Sequence, residues 1–123
     1  MKEDQIREKV AAFRILESRL EALARQREII SNKILEIDST VRSIKEVSKT
    51  KDDVLFPLGS EAYTFGKMGE EKNFIVEIGA NVALEKTGEE AIVILNKRKS
   101  ELETIMKSSQ EEISKTSALL YHP

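Results

Sequence analysis

The sequence predicts an α+β chain, a long antiparallel two-helix coiled coil with two central β-hairpins. Three observations carry that prediction. Residues 4–50 contain neither Gly nor Pro and repeat apolar residues at three- and four-residue intervals. Residues 54–86 alternate apolar and polar side chains between turn-forming residues. From Thr87 a capping signal opens a second apolar repeat that runs to the end of the chain. The 123 residues therefore read as one elongated subunit, with a helix over 4–51, hairpins over 54–86 and a helix over 88–120.

In the first helix Asp4 is the expected N-cap, with Glu3 and Glu8 near the positive end of the helix dipole. A heptad places Ile6, Phe13, Leu20, Arg27, Ile34 and Val41 at a, and Lys9, Leu16, Leu23, Ile30, Ile37 and Ile44 at d. Ten of these twelve positions are apolar, which is a coiled-coil seam. At ~1.5 Å per residue such a helix is about 70 Å long. Arg27 interrupts the seam, either fixing register or extending its charge outward. Lys45, Lys49 and Lys51 suit the negative helix end, whereas Asp52-Asp53 do not, so the helix should stop there.

The insert comes next as four short strands. Val54-Leu55-Phe56 precede Pro57, which forces extended geometry and cannot donate to a ladder. After the Gly59-Ser60 turn, Tyr63, Phe65 and Lys67 share one face. Gly69-Glu70-Glu71-Lys72 is a polar turn. Phe74, Val76 and Ile78 then share a face, Gly79-Ala80-Asn81 turn, and Val82, Leu84 and Lys86 alternate with Ala83 and Glu85. Two hairpins are the simplest pairing.

Thr87 is the expected N-cap of the second helix, with Glu90 reaching back to it in a capping box. Ile92, Lys99, Met106, Ile113 and Leu120 fall at a, and Leu95, Leu102, Ser109 and Thr116 at d. Six of the nine are apolar, so this seam is weaker than the first, and serines and threonines after residue 99 lower its helix propensity.

Composition excludes several functions. A net charge of −2 argues against binding driven by nucleic-acid phosphates. Residues 1–51 carry +3, residues 52–87 carry −4 and residues 88–123 carry −1, with no run of five like charges. Without cysteine there is no disulfide, thiol chemistry or Cys-type zinc site. The first residues lack the apolar core of a signal peptide, and no apolar run has the ~20 residues of a membrane span. A soluble cytoplasmic protein that binds neither nucleic acid nor membrane is expected. Gly59 and Gly66-Lys67 are too far apart for a phosphate loop, and Met68 stands where Ser or Thr would hold magnesium. His122, the one histidine, sits in the tail beside Pro123. Asp52-Asp53 reads as a solvated loop. No metal, cofactor or catalytic constellation is expected, so the chain is not read as an enzyme.

The insert carries a resemblance. Phe56-Pro57-Leu58-Gly59-Ser60 leads into Ala62-Tyr63, Val76-Glu77-Ile78-Gly79-Ala80 comes after it, and Leu84-Glu85-Lys86 precedes Glu89-Glu90-Ala91. This order of motifs resembles the alpha-type subunit of prefoldin over nearly the whole chain, and archaeal members in particular. The resemblance implies a hexamer of two alpha-type and four beta-type subunits. It implies sheets that close into a β-barrel body on oligomerisation, with coiled-coil tentacles hanging from it. It also implies ATP-independent capture of non-native proteins and their delivery to a group II chaperonin.

Two sets of residues are candidates for these roles. If residue 51 lies opposite 88, then 120 lies near 19, and the first fifteen or so residues of the chain lack a partner. Ile6, Val10, Phe13 and Leu16, with Leu119 and Leu120 close by, would then form the client-binding tip. Phe65, Phe74, Val76, Ile78, Val82 and Leu84 would serve subunit assembly, with Phe65, Phe74, Val76 and Ile78 buried in a barrel-like core. The alternative function is a coiled-coil adaptor that joins one fixed partner and holds no clients.

Overall fold

A computed structural model describes residues 2–121, so His122 lies outside the described residues. The order is α1 (Lys2–Lys49), β1 (Val54–Gly59), β2 (Ala62–Gly66), β3 (Phe74–Gly79), β4 (Val82–Lys86) and α2 (Gly88–Tyr121). The chain divides into two compact units, one of residues 1–35 with 100–123 and one of residues 36–99.

In the first unit the seam residues Leu23, Ile30 and Leu120 are buried, with Leu16, Leu20, Ile34, Leu102, Met106 and Ile113 half-buried. Arg27 is exposed, so its charge leaves the seam rather than entering it. An exposed ion pair joins Arg19 to Glu112. Asp4 is not the N-cap: α1 already includes Lys2, and Asp4 sits in the first turn, where its charge complements the helix dipole. Ser109 and Thr116 are the buried polar positions of this seam. The Ser109 hydroxyl has no hydrogen-bond partner among the described residues. Ser109→Ala removes that unpaired group and raises helix propensity. It should stabilise the chain by about 1 kcal/mol, read as a higher Tm without loss of helicity.

In the second unit Ile44, Val76 and Ala91 form the core, with Phe74, Ile92, Ile94 and Leu95 packed against it. Ile37 and Val41 continue the buried stripe of α1. Lys99 pairs with Asp38 at 2.7 Å. Gly88 opens α2 at a close approach, because a Cβ there would lie 2.8 Å from the Ser48 hydroxyl and 3.5 Å from Ile44. The helix start is a reciprocal capping box. The Glu90 amide donates to the Thr87 hydroxyl at 3.2 Å, and the Thr87 amide donates to the Glu90 carboxylate at 3.0 Å.

The Thr87 backbone N–H, followed by the Thr87 hydroxyl, holds the Glu90 carboxyl below the usual glutamate range. A depressed folded pKa means that the cap contributes above the unfolded pKa and fades as pH falls through the folded one. Glu90→Gln should therefore lower the stability of the helix start at neutral pH, with the difference from wild type disappearing as pH falls through the folded pKa, checked by circular dichroism across pH.

Each hairpin is its own two-stranded antiparallel sheet, β1–β2 and β3–β4. Their registers match at a spacing of twenty residues. Leu55 pairs with Phe65 as Ile75 pairs with Glu85, and Phe56 pairs with Thr64 as Val76 pairs with Leu84. Both ladders shift register at the residue before the turn glycine. Gly59 and Gly79 have φ of 99° and 103°. The turn residues Ser60-Glu61 and Ala80-Asn81 all have positive φ, the geometry that lets a two-residue loop follow the strand twist.

Candidate functional site

The two hairpins share a backbone design but present different surfaces. In an antiparallel ladder, directly opposed residues lie on the same face. Phe74, Val76, Leu84 and Lys86 therefore form one face of β3–β4, and Ile75, Glu77, Ala83 and Glu85 the other. The first face turns to the helices, since Val76 is only 7% exposed and lies in the core with Ile44 and Ala91. On β1–β2 the matching outer face is Leu55, Pro57, Tyr63 and Phe65. That face is apolar where its counterpart carries two glutamates, and Phe65 is 73% exposed.

The candidate assembly residues thus have different settings within the chain. Phe65, Ile78, Val82 and Leu84 are exposed, Phe74 is half-buried, and Val76 is buried against its own helices. Phe74 and Val76 already have partners in this subunit. The reason is the register: the face that carries them is the one that closes over Ile44 and Ala91. Exposed apolar residues outside the expected set are Leu55, Phe56, Leu58, Tyr63 and Ile75. Which face each occupies could be assigned only once the strand pairing was known.

The tip residues also separate. Ile6 is 60% exposed, Val10 and Phe13 are exposed, and so is Leu119. Leu16 is half-buried, and Leu120 is buried at 8%. The Arg19–Glu112 pair reports the register behind the difference. Tyr121 lies nine residues beyond Glu112, and Val10 nine before Arg19, so Leu120 falls near residue 11 rather than 19. The unpartnered stretch of α1 within this unit is correspondingly shorter, residues 2–9 rather than about fifteen. In the other unit Gly88 packs beside Ile44 and Ser48, not opposite residue 51. An open groove lined by Lys9, Val10, Phe13, Arg14 and Glu17 runs along the exposed part of α1. It joins apolar surface to charges of both signs, a combination that tolerates varied sequences while keeping the free surface solvated.

Among the described residues no group of three or more His, Cys, Asp or Glu side chains is placed to hold a metal ion. Among the same residues no helix is long and apolar enough to cross a membrane.

Comparison with known proteins gives a consistent picture. A family model described as a prefoldin subunit matches residues 16–119. The prefoldin subunit alpha of Thermofilum pendens is 31% identical over 117 residues, which cover 93% of this chain and 91% of that one. The prefoldin subunit alpha of Methanosarcina acetivorans is 27% identical, covering 91% of this chain and 82% of the relative. Among solved structures, filamentous PFD from Methanocaldococcus jannaschii, seen by cryo-EM, has a TM-score of 0.76 at 22% identity, with 93% of each chain covered. At that identity the structural likeness speaks for the fold.

Proposed function

This chain belongs to the prefoldin family, and from that premise we propose how its two units divide the work of a chaperone subunit. The unit that carries the hairpins assembles the particle. Its exposed apolar residues, Phe65 and Ile78 with Val82 and Leu84, are covered by neighbouring subunits in a β-barrel body. The partners are beta-type subunits, two alpha with four beta. The other unit captures non-native proteins through Ile6, Val10, Phe13 and Leu119, with Leu16 and Leu120 supporting them from the seam. Captured clients pass to a group II chaperonin in the cytoplasm.

The observation that carries this reading is the exposure of Ile6, Val10 and Phe13 on one stretch of α1, where Val10 and Phe13 help to line the groove. Each side chain buried against a client contributes about 1.5–3 kcal/mol before ordering costs. One contact is weak, so several subunits must engage a client together. The sequence has no phosphate loop, so capture should need neither nucleotide nor metal. The test is dilution of several unrelated denatured clients into the particle assembled with a beta-type subunit. Suppression of light scattering should be the same with ATP, without it, and with a chelator. Protection of a single client, with the others aggregating freely, would instead identify an adaptor for one fixed partner.

A further inference from the structure

The turn between the hairpins contains a lysine in a conformation that favours glycine. Lys72 has φ +47°, and its backbone N–H donates to the Gly69 carbonyl at 2.9 Å to close the turn. Backbone geometry alone would be better met there by Gly or Asn. The side chain offers a reason for lysine. Its half-buried ammonium donates to the Ser48 carbonyl at 3.0 Å and to the Thr50 carbonyl at 2.7 Å. These carbonyls end α1, where helix bonding leaves acceptors unsatisfied and the dipole favours a cation.

The strand after Lys72 is anchored as well. Phe74 packs on the Ile44–Val76–Ala91 core. The Arg98 guanidinium donates to the Glu77 carbonyl on β3. Before the other hairpin, twenty residues earlier, the place of Lys72 is taken by Asp52, which has no ammonium to donate.

We propose that Lys72 is a positioning residue whose ammonium caps α1 and thereby holds hairpin β3–β4 in the orientation that assembly requires. The proposal rests on the assembly reading above for its purpose, though not for its geometry. A two-stranded sheet is marginal in water by itself. Anchoring one of two matched hairpins gives the subunit one preorganised docking element.

The test is hydrogen exchange by mass spectrometry on the free full-length chain, comparing wild type with Lys72→Gly, Lys72→Met and Lys72→Arg. Glycine relieves the backbone and removes the ammonium, so it separates the two roles of the position. Lys72→Gly and Lys72→Met should speed exchange at least tenfold over residues 46–51 and 74–86. Residues 54–66 serve as an internal control and should not change. Lys72→Arg should retain most of the protection, because a guanidinium can also reach two carbonyls. If Lys72→Gly is as protected as wild type, the ammonium has no positioning role and the proposal is overturned. Mixing each variant with a beta-type subunit and measuring native mass then tests the purpose separately. Slower particle formation by Lys72→Gly and Lys72→Met, rescued by Lys72→Arg, is expected. Unchanged formation alongside faster exchange would overturn the assembly role and leave the cap.

Discussion

Val76→Asp should abolish the assembled particle and also loosen hairpin β3–β4 from its own helices. Val76 is buried with Ile44 and Ala91 in the apolar core of its unit. Burying a carboxylate at such a site costs several kcal/mol, or forces the strand to move until the charge reaches water. A second substitution separates assembly from folding. Phe65→Asp changes a residue that is 73% exposed in the subunit, so it should leave the free chain's stability within about 0.5 kcal/mol of wild type. It should nonetheless block or severely weaken assembly. Size-exclusion with light scattering and far-UV circular dichroism distinguish the two variants. Assembly by Phe65→Asp at wild-type concentrations would mean that the apolar face of β1–β2 is not an assembly surface.

The helices were the most legible part of the sequence. A heptad is a periodic signal, and burial tracks it: Leu23, Ile30, Ile37, Val41, Ile44 and Leu120 all fall on seam positions and are all buried. The capping box was legible for a similar reason, since Thr87 and Glu90 interact across three residues and need no knowledge of the rest of the chain. Two hairpins were legible from alternation and turn residues. The face that each presents was not, because a strand's pattern gives two faces without saying which one meets a helix. Val76 and Phe65 show the cost of that ambiguity. One lies in the subunit's own core and the other is open to solvent.

Register between the helices was also beyond the sequence. A repeat of seven positions fixes which side of a helix is buried, but sliding the partner by a turn preserves the pattern. The pairing of Arg19 with Glu112 reports the register in its unit, in which Leu120 lies buried in the seam. Lys72 gave no signal at all. Within Gly69-Glu70-Glu71-Lys72 it reads as one more turn charge, and its partners are backbone carbonyls of residues more than twenty positions earlier.

The tip carries the second large expected effect. Replacing Ile6, Val10 and Phe13 together by Ser removes three exposed apolar side chains and leaves the buried seam residues in place. At about 1.5–3 kcal/mol each before ordering costs, their loss from every alpha subunit of a multivalent particle should remove most of its affinity for clients. Stability should change little, since none of the three is buried in the subunit. The most direct measurement is therefore light scattering of a denatured client diluted into preformed particles of confirmed mass, with wild-type or triply substituted alpha subunits. The account predicts intact particles that no longer suppress aggregation, or do so only in large excess. Full protection by the substituted particles would contradict it and place client capture elsewhere on the assembly.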